Sequence, residues 1–133
     1  MATIQGQSAN QGFYGGTHGN MSTAIGKFTG TAAINDVIVL GNLPQGLIIK
    51  RVSAGTAVAN ASTTIDINAV KEDGSSVVLA TALDVNNKVS SKDLMPVETG
   101  FSSVEIQAVV KGGTIAAGSN LTIYVEYLAV GTK

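Results

Sequence analysis

From residue 23 onward the chain alternates apolar and polar positions in short runs, each closed by Gly, Asn, Asp or Pro. A period of two puts successive side chains on opposite faces of an extended strand, so one face of each run suits a core and the other suits solvent. In the clearest run Ile65, Ile67 and Ala69 share one face, and Thr64, Asp66 and Asn68 share the other. Val104, Ile106, Ala108 and Val110 repeat the pattern opposite Glu105 and Gln107. Near the carboxyl end, Leu121, Ile123, Val125 and Tyr127 are expected to point inward, with Thr122, Tyr124 and Glu126 outward. The pattern predicts strands over 24–31, 36–40, 47–56, 63–72, 76–83, 102–111 and 120–129. Helical spacing is scarce.

The connections fit antiparallel pairing. Asp73-Gly74 lies between two alternating runs and is a strong hairpin signal, so the strands on either side of it should pair. Pro44 with Gly46 marks a turn, and Gly112-Gly113 with Gly118 breaks the path before the last strand. Residues 84–100 are the longest non-periodic stretch of this part and read as a crossover loop between sheets. The fold class expected is therefore all-β, an antiparallel two-sheet sandwich of jelly-roll or Greek-key type over residues 23–133.

Residues 1–22 differ. They are rich in Gly, Gln, Asn and Ser and show neither period, which predicts a flexible N-terminal arm with much entropy to lose and little to bury. Phe13 and Tyr14 stand out in it, because burying an aromatic side chain contributes roughly 1.5–3 kcal/mol. Two destinations stay open: their own domain or a neighbouring subunit. With His18 of the same arm, they are the candidate partner-contact residues.

Composition narrows the function. Charged residues are 13% of the chain and the net charge is −1, so the surface is polar but nearly uncharged, which suits a chain held in an assembly. The eight basic residues are scattered, with Lys50-Arg51 the one adjacent pair, so no nucleic acid partner is expected. The apolar stretches 37–40 and 77–83 are far short of the roughly 20 residues a membrane-spanning helix needs. No charged amino-terminal region followed by an apolar core is present either, and no membrane partner or secretion signal is expected.

Catalytic chemistry has little to work with. The one histidine, His18, lies in the arm without fixed neighbours, so a nucleophile would lack a positioned base. With no cysteine, the usual zinc ligand sets cannot be assembled. Asp66 and Glu105 could meet across strands, but both sit on polar faces. A calcium-loop pattern starting at Asp66 fails at Val70 and Lys71, and Gly26-Lys27 is followed by Phe28 where a phosphate loop needs Ser or Thr. Asn20-Met21-Ser22, Asn60-Ala61-Ser62 and Asn120-Leu121-Thr122 fit the glycosylation pattern, which arises by chance in a chain this rich in Asn, Ser and Thr. The expectation is a non-enzymatic protein with no cofactor and no metal.

Three stretches carry a resemblance. Residues 36–52, DVIVLGNLPQGLIIKRV, look like a strand, a Leu-Pro-x-Gly turn and a second strand; 63–68, TTIDIN, and 118–127, GSNLTIYVEY, are similar in style. They resemble the jelly-roll capsid decoration (cement) proteins of tailed bacteriophages. What the resemblance implies is a structural virion protein, made in the host cytoplasm, that sits on the capsid surface where subunits of the major capsid protein meet and stabilises the shell. It also implies self-association, as a homotrimer. Related tail, neck and head-fibre subunits share the same style and form the alternative reading. A carbohydrate-binding sandwich is a second alternative, for which Tyr124 is the one aromatic residue placed on an outer face.

Overall fold

The computed structural model describes residues 2–5, 21–58, 60, 62–99 and 103–129. Its strands are β1 (Thr3–Gln5), β2 (Met21–Phe28), β3 (Val37–Leu43), β4 (Leu47–Gly55), β5 (Thr64–Lys71), β6 (Ser76–Asp84), β7 (Val89–Glu98), β8 (Val104–Lys111) and β9 (Leu121–Ala129). They form a five-stranded sheet in the order β1-β3-β8-β5-β6 and a four-stranded sheet in the order β2-β9-β4-β7. Every pairing is antiparallel except β1 with β3.

The order has a simple logic. β2 pairs with β9, β3 with β8, β4 with β7 and β5 with β6, so the eight long strands are a nested set of antiparallel pairs. The β9–β4 and β8–β5 pairings then roll this long hairpin into two facing sheets. That connectivity is the jelly roll.

The alternating faces fall where the pattern put them. Ile65, Ile67, Ala69, Val104, Ile106, Ala108 and Val110 are buried on one sheet, and Leu121, Ile123, Val125 and Tyr127 on the other. Ile38, Leu40, Ile49, Val52 and Phe28 complete a single core between the layers. The hairpin at Asp73-Gly74 also forms. Lys71 N donates to Ser75 O at 2.8 Å and Gly74 N to Lys71 O at 3.0 Å, so the loop holds three residues. Its last residue, Gly74, takes φ +89°, a left-handed conformation that a side chain would strain.

Three expectations are corrected. Residues 84–100 do not form a crossover loop, because most of them are β7, an edge strand paired with β4. Alternation is hidden there by a bulge: the register passes from Ile49↔Val97 to Arg51↔Asp93, leaving 94–96 opposite one residue of β4. Pro96 has no N–H to give a ladder, and an edge strand tolerates that. At the amino terminus, residues 3–5, assigned to the arm, are strand β1 on the edge of β3. Three residues are too few to display a period. β2 likewise starts at Met21 and ends at Phe28 rather than spanning 24–31, so the boundary drawn after residue 22 falls inside a strand.

Candidate interaction surface

The arm residues Phe13, Tyr14 and His18 lie outside the described residues. Asp66 and Glu105 do not meet. Asp66 stands opposite Val109 and Glu105 opposite Val70, four positions apart along the β5–β8 ladder. Each has a local duty instead: Asp66 Oδ1 accepts from Ala82 N at 2.8 Å, where β6 bulges, and Glu105 Oε1 accepts from Gln107 Nε2 at 2.6 Å. Among the described residues there is no cluster of His, Asp and Glu able to hold a metal ion.

What the fold does build is one nearly uncharged end whose connections are hydrogen-bonded to one another. The connections 29–36, 56–63, 85–88 and 112–120 converge there. The main chain ties them together: Ala57 N donates to Ser119 O at 2.8 Å, Gly118 N to Thr29 O at 3.3 Å, and Ala32 and Ile115 form a bridge. Asn60 is the hub. It is 5% exposed, its Nδ2 donates to Ser119 Oγ at 3.1 Å and Val58 O at 3.1 Å, and its Oδ1 accepts from Ala116 N at 3.0 Å. Ser119 Oγ donates in turn to Ala116 O at 2.7 Å. The Thr56 hydroxyl donates to Val85 O and accepts from Asn87 N at 3.4 Å, while Thr63 Oγ1 donates to Thr114 O at 3.0 Å. Asn86 Oδ1 accepts from Asn60 N at 2.9 Å. Buried neutral polar groups satisfied this fully fix a geometry without carrying charge.

The exposed skin of this end mixes small apolar side chains with neutral polar ones such as Thr31, Asn35, Asn86, Asn87 and Thr114. Ile34 is 50% exposed and Val58 41%, among Ala33, Ala57, Ala116 and Ala117. The charged residues of the four connections are Asp36 and Lys88. Asp36 is largely buried and accepts from Ala33 N at 2.9 Å and Ala2 N at 3.1 Å. Lys88 Nζ lies 3.0 Å from Asp84 Oδ2. The N–H donors, that of Ala33 foremost, hold the Asp36 carboxyl below its ordinary value, and Asn86 N–H followed by Lys88 does the same for Asp84. These carboxylates brace turns.

The opposite end contrasts. A surface depression of about 210 Å³ there is lined by Asn42, Lys71, Glu72, Ser103 and Glu105, and Ser103 Oγ donates to Glu72 Oε1 at 2.7 Å. Asp73 is held below its ordinary value by the Ser75 hydroxyl first and the Ser75 N–H next. A second depression, about 250 Å³, lies beside the uncharged end on the four-stranded sheet, lined by Gly55, Thr56, Val89, Asn120, Thr122 and Tyr124. Tyr124 does face outward, as its strand pattern predicted. The arrangement is suited to contact.

No protein-family model matches the chain, and no curated protein matches it. Solved structures do. A chain in the capsid of Ralstonia phage GP4 superposes with a TM-score of 0.66 at 16% identity, over 98% of this chain and 99% of that one. A chain of the cyanophage Pam1 capsid asymmetric unit superposes with a TM-score of 0.52 at 22% identity, over 86% of this chain and 88% of that one. At these identities the likeness is one of fold, and it runs nearly end to end in both.

Proposed function

We propose that this chain is a structural virion protein that binds the outside of a phage capsid at junctions between major capsid subunits and stabilises the shell, with no catalytic role. The observation that carries the reading is the end-to-end likeness to the GP4 capsid chain: the whole of a chain of this length, not a domain of a larger one, has its counterpart within a phage capsid. The uncharged loop end supports it, since preformed loops lose little entropy on docking. So does the low charge of the whole, tolerable in a chain kept in an assembly.

On this reading the arm residues Phe13, Tyr14 and His18 add a second contact, on the capsid or within a homotrimer. Multivalent attachment makes weak contacts durable. The test is co-sedimentation of purified protein with capsids that lack it. Saturable binding and a raised capsid disruption temperature are expected, weakened by deletion of residues 1–20 and by the pair Ile34→Glu and Val58→Glu. Absence of binding to any such capsid under these conditions overturns the proposal.

A further inference from the structure

The outer face of the four-stranded sheet holds two rows of side chains beside the uncharged end. Residues directly opposite in an antiparallel ladder share a face. Thr122, Gly55 and Val89 make the first row, and Tyr124, Ser53 and Ser91 the second. Gly55 leaves the middle of the first row bare. A Cβ there would stand 2.6 Å from Val89 Cγ2 and 2.9 Å from the Lys88 carbonyl oxygen, so the position has no room for a side chain. The gap floors the depression of about 250 Å³, with Tyr124, Thr122, Asn120 and Val89 around it.

What can bind is set by what the walls offer. Among the described residues no charged side chain lines the depression, which leaves a phosphate or carboxylate ligand without a counter-charge. Floor and Tyr124 wall belong to β4 and β9, each paired on both sides. Their main-chain groups are spent in the ladder, so an added peptide strand has nothing to pair with. The side chains remain. Tyr124 is half-buried and supplies an aromatic face, and Val89, 61% exposed, supplies an apolar one. Asn120 is exposed at φ +55°, and its side-chain amide makes no hydrogen bond among the described residues. It has two donors and an acceptor to give. The Thr122 hydroxyl donates to Asn120 O at 3.1 Å and keeps its lone pairs for an incoming donor.

We propose that this depression binds one ring of a neutral sugar, stacked on Tyr124, with its hydroxyls bonded to the Asn120 amide and the Thr122 hydroxyl. A pyranose has an apolar face of C–H groups and a polar rim of hydroxyls, each both donor and acceptor. The C–H groups carry slight positive charge and suit the negative face of an aromatic ring. The rim suits an amide and a hydroxyl, which fix orientation without charge. In the next row the Ser53 and Ser91 hydroxyls, 3.0 Å apart, extend the neutral surface toward a second ring. The inference concerns the free chain and does not depend on capsid binding.

The test is a titration of the isotope-labelled full chain, followed by backbone amide shifts, with the methyl glycosides of glucose, galactose, mannose and N-acetylglucosamine. A dissociation constant on the order of 1 mM is expected for at least one of them, as suits a single ring on an open site. The shifts should be confined to residues 53–57, 89–91 and 120–124. Tyr124→Ala should weaken binding tenfold or more. So should Asn120→Gly, which removes the amide and keeps the left-handed backbone, and this variant decides the matter if Tyr124→Ala does not fold. Cyclohexanol, a ring of the same size with a single hydroxyl, should bind at least tenfold more weakly than the best glycoside. Absence of shifts in this region with every glycoside, unaltered binding in Asn120→Gly, or an equal response to cyclohexanol overturns the proposal.

Discussion

Replacing Asn60 with Ala removes the hub of the uncharged end. The wild-type amide makes three well-formed bonds, to Ser119 Oγ, to Val58 O and from Ala116 N, in a residue that is 5% exposed. Each such bond contributes about 1 kcal/mol net, and a buried group left unpaired costs about 1–3 kcal/mol. The Ala116 N–H and Val58 carbonyl both lose a partner, and water entering the vacated space recovers part of the loss. The expected destabilisation is roughly 3 kcal/mol. For a domain of this size, melting entropy makes that a fall in Tm of about 10 °C. The assays are urea denaturation at fixed protein concentration and amide hydrogen exchange. Exchange should accelerate most at residues 116–119, with β5 and β8 protected as before. A loss under about 1 kcal/mol, or acceleration spread evenly over both sheets, would refute the claim that Asn60 locks these loops.

Asp36 gives a pH signature. Its folded pKa is lowered from the ordinary 3.8 by the N–H groups of Ala33 and Ala2, so its contribution is present above the ordinary value and lost as pH falls through the folded one. Below about pH 4, β1 should detach before the sandwich unfolds, seen as hydrogen exchange at residues 3–5, and Asp36→Asn should flatten that dependence. Gly26→Ala would push a methyl group to within 2.9 Å of Leu40 Cβ between the two layers, an overpacking expected to cost about 1–3 kcal/mol in urea denaturation. Tyr124→Ala should leave capsid co-sedimentation unchanged, since its depression lies on the sheet face; a tenfold loss would move the contact surface there.

Most of the layered architecture was legible because alternation is a local signal. Ile65, Ile67 and Ala69 announce their face whichever strands they pair with, and Asp73-Gly74 announces the turn. β7 was illegible for a physical reason: an edge strand needs little apolar surface, and its bulge at 94–96 shifts the period just where Leu94 and Val97 reach the core. β1 was illegible because it is held by a backbone ladder and one carboxylate rather than by pattern. Asn60 shows the limit for the candidate site. In the sequence it was the first residue of an Asn-Ala-Ser tripeptide, and nothing local tells a solvated loop asparagine from one whose partner lies fifty-nine residues away.

The irregularities at the flanks of the sheets carry a consequence for a molecule with a net charge of −1. Colloidal repulsion gives such a protein little protection when many copies accumulate, and extended backbone at a sheet border is a template for runaway stacking. Here β7 interrupts its border with Pro96 and three unpaired positions, and β6 interrupts its own with two breaks in register. Shape stands in for charge as the safeguard against fibrils. Ironing out those kinks should leave the fold intact and make the protein insoluble.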